Sequence, residues 1–171
     1  MEKKFTFGGD NNAELDNLFF EADNLIKDNL IGDAHDKLVA IIQKNPRYGR
    51  AYNHLGWLFE TKYKDLNKAE EYYQKALENS PEYIPIYLNY AICLSTMGKY
   101  SELKNFLDKA MQVVGVNKAQ LNNEYGIMYE MQGDFEKAIS YYQAAINQSL
   151  NNKDIGIYQE SIDRCIRKRG R

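Results

Sequence analysis

The sequence predicts an all-α protein built as a row of helix hairpins. Three observations carry this. Small residues recur at Ala22, Gly56, Ala91 and Gly126, spaced by 34, 35 and 35. Two further series, Ala34, Ala69, Leu103, Ala138 and Ile41, Ala76, Ala110, Ala145, each step by 35, 34 and 35. Between these marks the apolar residues follow helical period, two patterns per copy. One such hairpin cannot bury its apolar face alone; stacked neighbours do so together, which is the logic of a solenoid.

Residues 1–12 carry Gly8-Gly9 and Asn11-Asn12 and are expected to form a flexible N-terminal segment. Four repeats follow over 13–152, at about 13–48, 49–83, 84–118 and 119–152. The first is the most worn: Leu18, Glu21, Ala22 and Leu25, then Ala34, Leu38 and Ile41, ending at Pro46. Its irregularity suits a terminal position. The second places Tyr52, Leu55, Gly56 and Phe59 on one helical face and Ala69, Tyr73 and Ala76 on another. Pro81 then disfavours helix at Ser80. The third reads Tyr87, Tyr90, Ala91, Leu94, then Gly98, then Leu103, Leu107 and Ala110. In the fourth, Asn122, Tyr125, Gly126 and Tyr129 precede Ala138, Tyr142 and Ala145. Between them Gly133 suits a left-handed C-cap and Asp134 an N-cap. A ninth helix follows, with Ile155, Tyr158, Ile162, Cys165 and Ile166 as its stripe; with the basic tail it occupies 153–171. The expected helices are 14–28, 31–44, 48–63, 66–79, 84–97, 100–113, 118–132, 135–148 and 153–168. The second copy has 13 residues from Gly56 to Ala69 against 12 in the others, so its turn, Lys62 to Asn67, is expected to bulge outward.

At these positions the chain resembles the tetratricopeptide repeat family. The second copy matches nearly throughout, at Tyr52, Leu55, Gly56, Phe59, Ala69, Tyr73, Ala76 and Pro81. Departures are Glu21 at an apolar position, Leu103 for alanine, and Gly115 and Leu150 for the closing proline. The resemblance implies a right-handed α-solenoid (superhelix) of four helix pairs plus a C-terminal capping helix. It also implies a concave face, lined by the first helix of each pair, that receives a peptide or helix.

Composition narrows the function. Among 171 residues, 24 acidic side chains face 22 basic ones, so nucleic acid is not the expected partner. Arg164, Arg167, Lys168, Arg169 and Arg171 crowd the tail, and favourable charge at a helix C-terminus accounts for them. Cys93 and Cys165 are too few for a disulfide framework; a reducing compartment, the cytoplasm, is the expected location. With only His35 and His54 beside them, no metal site is expected. No leader-like apolar run follows Met1, and no stretch is long enough for a membrane span. No catalytic constellation or phosphate loop appears, so neither enzyme activity nor a cofactor is expected. Fourteen tyrosines are present, and most sit at helix-packing positions rather than on a stacking platform.

The expected binding face follows by counting from the anchors. It takes Phe19 and Asp23 from the first copy and Arg50, Asn53 and Trp57 from the second. Leu88, Asn89 and Ile92 come from the third, Asn123 and Ile127 from the fourth. Flanking positions are Asp16, Glu60, Thr96, Gln120 and Glu130. The apolar members are anchors, and asparagine recurs as Asn53, Asn89 and Asn123; it both donates and accepts, which suits a peptide backbone. The acids favour a partner segment with apolar anchors and some basic residues. Chaperone-binding members of the family clamp a C-terminal carboxylate with lysines, asparagines and an arginine. Here the corresponding positions hold Asn53, Trp57, Asn89, Gln120 and Glu124, and only Asn89 agrees. A chaperone tail is therefore not expected. The functional expectation is a non-enzymatic adaptor; the alternative is a self-association module whose groove or cap stripe is buried in a homo-oligomer.

Overall fold

The computed structural model describes residues 10–170. Among them nine α-helices and one π-helical turn form, and no strand. The helices are α1 (Asp10–Lys27), α2 (Ile31–Lys44), α3 (Gly49–Leu58), α4 (Leu66–Asn79), α5 (Pro85–Thr96), α6 (Tyr100–Ala110), α7 (Lys118–Met131), α8 (Phe135–Gln148) and α9 (Asn152–Arg169). Of the segment 1–12, residues 1–9 lie outside the described residues, while the backbone of 10–12 belongs to α1. The chain divides after Tyr83 into two compact units.

The first unit holds the hairpins α1–α2 and α3–α4. Leu15, Phe19 and Ala22 of α1 pack with Leu38 and Ile41 of α2 and with Ala51, Leu55 and Leu58 of α3. In the second unit, α5 pairs with α6 and α7 with α8, and α9 closes on α8. Ala138 and Tyr142 of α8 pack there with Ile162 and Cys165 of α9.

The small residues work in matched pairs. A Cβ on Gly56 would lie 2.8 Å from the Tyr73 ring, and one on Gly126 would lie 2.5 Å from the Tyr142 ring. Both tyrosines are fully buried. In the first and third copies the corresponding residues are Ala22 with Leu38 and Ala91 with Leu107, all essentially inaccessible to solvent. Where the second helix carries an aromatic ring the first gives up its Cβ; where it carries leucine, alanine fits. Interior packing is tight enough for one methyl to matter. Each ring also reaches a carboxylate one turn beyond the glycine: Tyr73 Oη donates to Glu60 at 2.7 Å, and Tyr142 Oη to Glu130 at 2.9 Å.

Turn chemistry sets the hairpins. Gly133 adopts φ +79° and Gly98 φ +70°, the left-handed conformation glycine tolerates. Asp134 accepts from the backbone amide of Lys137, and Asp65 from that of Lys68, as N-caps. The longer second copy does not bulge outward at Lys62 to Asn67 as the sequence suggested. Its extra residue is taken up inside the helix: Phe59–Tyr63 winds as a π-helical turn, and Lys64 then turns left-handed at φ 59°. The amide of Asp65 closes it on the Phe59 carbonyl at 2.9 Å. Downstream, α6 ends at Ala110 rather than 113, and Gly115 at φ +92° carries the chain toward α7.

Candidate functional site

The first helices of the four pairs, α1, α3, α5 and α7, carry the residues expected to bind. In the first unit α1 and α3, together with Tyr83, wall a cleft of about 340 Å³. Phe19, Asp23 and Arg50 are brought together there. The Arg50 guanidinium lies 4.7 Å from the centre of the Phe19 ring and 5.4 Å from that of Tyr83. It also stands 3.4 Å from Asp16. Asp23 pairs with Lys27 at 2.6 Å, and this hydrogen bond holds its carboxyl below the usual range. His54, which packs edge-on to Phe19 at 4.5 Å, faces Asp23 at 3.6 Å. Burial pushes the imidazole pKa down, against the pull of that aspartate, and so favours the neutral ring.

Asn53 is not part of an exposed wall. It is 2% exposed, on a helix that buries residues on several sides: Ala51, Asn53, Leu55, Gly56 and Leu58. The expected asparagine ladder therefore breaks at this position. Trp57 is half-buried against the α1–α2 core, with the Lys62 ammonium 5.8 Å from its ring centre.

The second unit has two clefts between α5 and α7. One of about 340 Å³ brings together Leu88, Asn89 and Gln120. The other, of about 580 Å³, is lined by Ile92 and Thr96 on one side and Glu124, Ile127 and Met131 on the other. Asn123 is half-buried and donates to Glu124 Oε1 at 3.3 Å. The sequence pattern missed Met131 as a wall residue and reached Glu124 only as a position of the carboxylate clamp. Their signal was the spacing Glu124, Ile127, Met131, one helical stripe.

Glu130, read from sequence as a groove acid, is sealed instead. It is 8% exposed and accepts from Arg164 Nε and Nη2, both at 2.7 Å, and from Lys168 Nζ at 2.8 Å. The Arg164 guanidinium, with Lys168 and the Tyr142 hydroxyl, brings its carboxyl down to about 2. Arg169 reaches Glu136 at 2.6 Å. Three of the tail's cations thus fasten α9 to α7 and α8, rather than only balancing a helix end. Glu60, the counterpart in the second copy, has its pKa raised by burial.

Among the described residues no group of three or more His, Cys, Asp and Glu side chains is arranged to hold a metal. None of the described helices is long and apolar enough to cross a membrane.

Family models described as tetratricopeptide repeat match residues 21–84 and 82–151. No curated protein matches the chain by sequence. Among solved structures, one reported as the functional characterization of Pseudomonas aeruginosa pilF superposes with a TM-score of 0.80 at 17% identity, over 93% of this chain and 70% of that one. PilW, reported as a widely conserved type IV pilus biogenesis factor, gives 0.69 at 15% identity, over 88% and 73%. YrrB, reported as a TPR protein with an unusual peptide-binding site, gives 0.66 at 16% identity, over 88% and 80%. At these identities the likeness is one of fold.

Proposed function

The chain belongs to the tetratricopeptide repeat family, and from that premise we propose that it is a non-enzymatic adaptor holding a peptide or helix of a partner protein against α1, α3, α5 and α7. One observation carries the reading. In each compact unit the first helices of consecutive pairs leave clefts between them, and these clefts gather seven of the expected residues, Phe19, Asp23, Arg50, Leu88, Asn89, Ile92 and Ile127, with the flanking Asp16, Thr96 and Gln120. Apolar side chains left facing such a cleft are surface that a partner can cover. YrrB supports the reading insofar as its own report names a peptide-binding site. The buried free thiols of Cys93 and Cys165 agree with a reducing compartment such as the cytoplasm.

The test is selection of displayed random peptides on the whole protein, followed by titration of the selected peptides. Asn89→Ala and Ile92→Asp should weaken binding about tenfold or more, while Gln143→Ala on exposed α8 leaves it unchanged. Peptides that bind all three variants like the parent would remove the α5–α7 face from consideration. Self-association has its own support: Ile157 and Ile166 of α9 are 47% and 46% exposed, and Leu150, which precedes α9 in the chain, is fully exposed. Sedimentation across a concentration series decides it, because a strict monomer excludes this second reading.

A further inference from the structure

His54 of α3 lines the first-unit cleft yet is packed into the seam between α1 and α3. Its side chain is 18% exposed, and its ring meets Phe19 edge-on at 4.5 Å. A neutral imidazole has one donor and one acceptor nitrogen. Nε2 faces Asp23 of α1 at 3.6 Å, while Nδ1 is shut off from water without a hydrogen-bond partner. In the neutral ring this leaves one lone pair unmet. In the protonated ring it leaves a charged N–H unmet, which costs more. The charged and titratable groups facing the ring are Asp23 of α1 and Arg50 of α3; Asp16 of α1 and Tyr83, which follows α4, complete the polar lining of the cleft. Burial is the largest influence and disfavours the charged ring; Asp23 and the Arg50 backbone oppose it less. Asp23 is already bonded to Lys27 at 2.6 Å. The Arg50 guanidinium, one turn before His54, lies 4.7 Å from the same Phe19 ring, so a second cation there meets a like charge.

We propose that His54 is a proton-operated latch on this cleft: on taking a proton, the imidazolium leaves its seat against Phe19 and swings into the cleft, loosening α1 from α3. The way out is at hand, since the ring already forms part of the wall of a cleft of about 340 Å³. The inference goes beyond the adaptor reading and holds whether or not a partner occupies the cleft. Its sign follows from linkage. The folded ring binds its proton less readily than the unfolded chain does, so its share of the stability is full above the ordinary histidine value and is lost as pH falls through the folded one. Glu130 of the second unit titrates lower, between about 4.5 and about 2. Glu60, whose pKa is raised by burial, is the group of the first unit that needs its own control.

The chain has two histidines, so His35→Gln leaves His54 as the single imidazole in an NMR titration of the full chain from about pH 8 to about pH 5. The His54 midpoint should fall below that of histidine in an unstructured peptide, and the Phe19 ring signals should move with the same midpoint. Over that range the hydrogen-exchange protection of α1 and α3, corrected for the intrinsic rate, should drop severalfold while that of α7 and α8 holds. Glu60→Gln should leave the step in place, and His54→Gln should abolish it. Because His54→Gln replaces a packed ring, Lys27→Met supplies a variant at a side chain that is 62% exposed. It frees Asp23 to hold the imidazolium where it sits, so the midpoint should rise and the loosening shrink. The latch is overturned by a His54 midpoint at or above the peptide value, or by Phe19 signals that do not follow the proton. It is equally overturned by a step that survives His54→Gln, disappears in Glu60→Gln, or keeps its midpoint in Lys27→Met. None of these results touches the adaptor reading, which the selected peptides decide.

Discussion

Gly126→Ala tests the pairing of small residues with rings. Alanine normally stabilises a helix interior by about 1 kcal/mol relative to glycine. Here the new Cβ would stand 2.5 Å from Cε1 and 2.6 Å from Cδ1 of Tyr142. The ring cannot swing aside, because it is fully buried and its hydroxyl is tied to Glu130. The two helices must part by a fraction of an ångström, and overpacking of this kind costs about 1–3 kcal/mol. With the contact this short the upper end applies, so the net loss is about 2 kcal/mol. For a chain of this size that lowers the midpoint of thermal unfolding by roughly 4–8 °C. Tyr142→Leu alone removes ring packing and a hydrogen bond, again at about 2 kcal/mol. Together the two substitutions recreate the Ala–Leu pair of the first and third copies. The double variant should therefore lose well under the sum, with a favourable coupling of about 2 kcal/mol. Urea denaturation followed by far-ultraviolet dichroism measures all four corners of the cycle. Gly156→Ala in α9 is the control, since nothing lies within 4 Å of its added Cβ. A Gly126→Ala variant that gains stability as the control does, or an additive cycle, would show that the glycine is not there to admit the ring.

The ion pair of α9 gives a pH dependence. The folded-state pKa of Glu130 is depressed from 4.5 to about 2, so its contribution is fully present above about pH 4.5 and is lost as pH falls toward 2. Arg164 and Lys168 are nearly half exposed, which discounts the contribution to about 2 kcal/mol. Glu130→Gln should therefore be less stable than the parent at neutral pH, with the gap closing on acidification; a gap that is constant with pH would contradict this. Lys64→Gly removes the strain of a Cβ carbon at φ 59° and should raise stability by about 0.5–1 kcal/mol in the same urea assay. No change, or a loss, would mean that the lysine side chain offsets that strain through contacts of its own.

The hairpins were legible because packing leaves a periodic mark: Ala69, Tyr73 and Ala76 can share a buried face only on a helix. Gly133 and Asp134 announced their turn for the same local reason. The π-helical turn was not legible. An added residue shows in the spacing from Gly56 to Ala69, but whether it widens the helix or loops out depends on how Phe59 packs, which spacing does not record. The candidate site was legible in part. Counting along the first helices reached the cleft residues Arg50, Leu88 and Ile127, yet it also took in Asn53, since a stripe on a helical wheel does not show what lies over it. Glu130 was misplaced because its partners, Arg164 and Lys168, lie more than thirty residues downstream, on a helix whose docking only the tertiary structure supplies.

The Glu130 contact also governs what can follow the fourth hairpin. A deletion that ended the chain before Arg164 would leave the Glu130 carboxylate with the Tyr142 hydroxyl and without either of its cations. Extending the array by another hairpin meets the same demand. The incoming segment can bring a positive group to that spot, leave the acid bonded to its tyrosine as the second copy does with Glu60 and Tyr73, or meet a small neutral residue there, as the third copy has in Ser95.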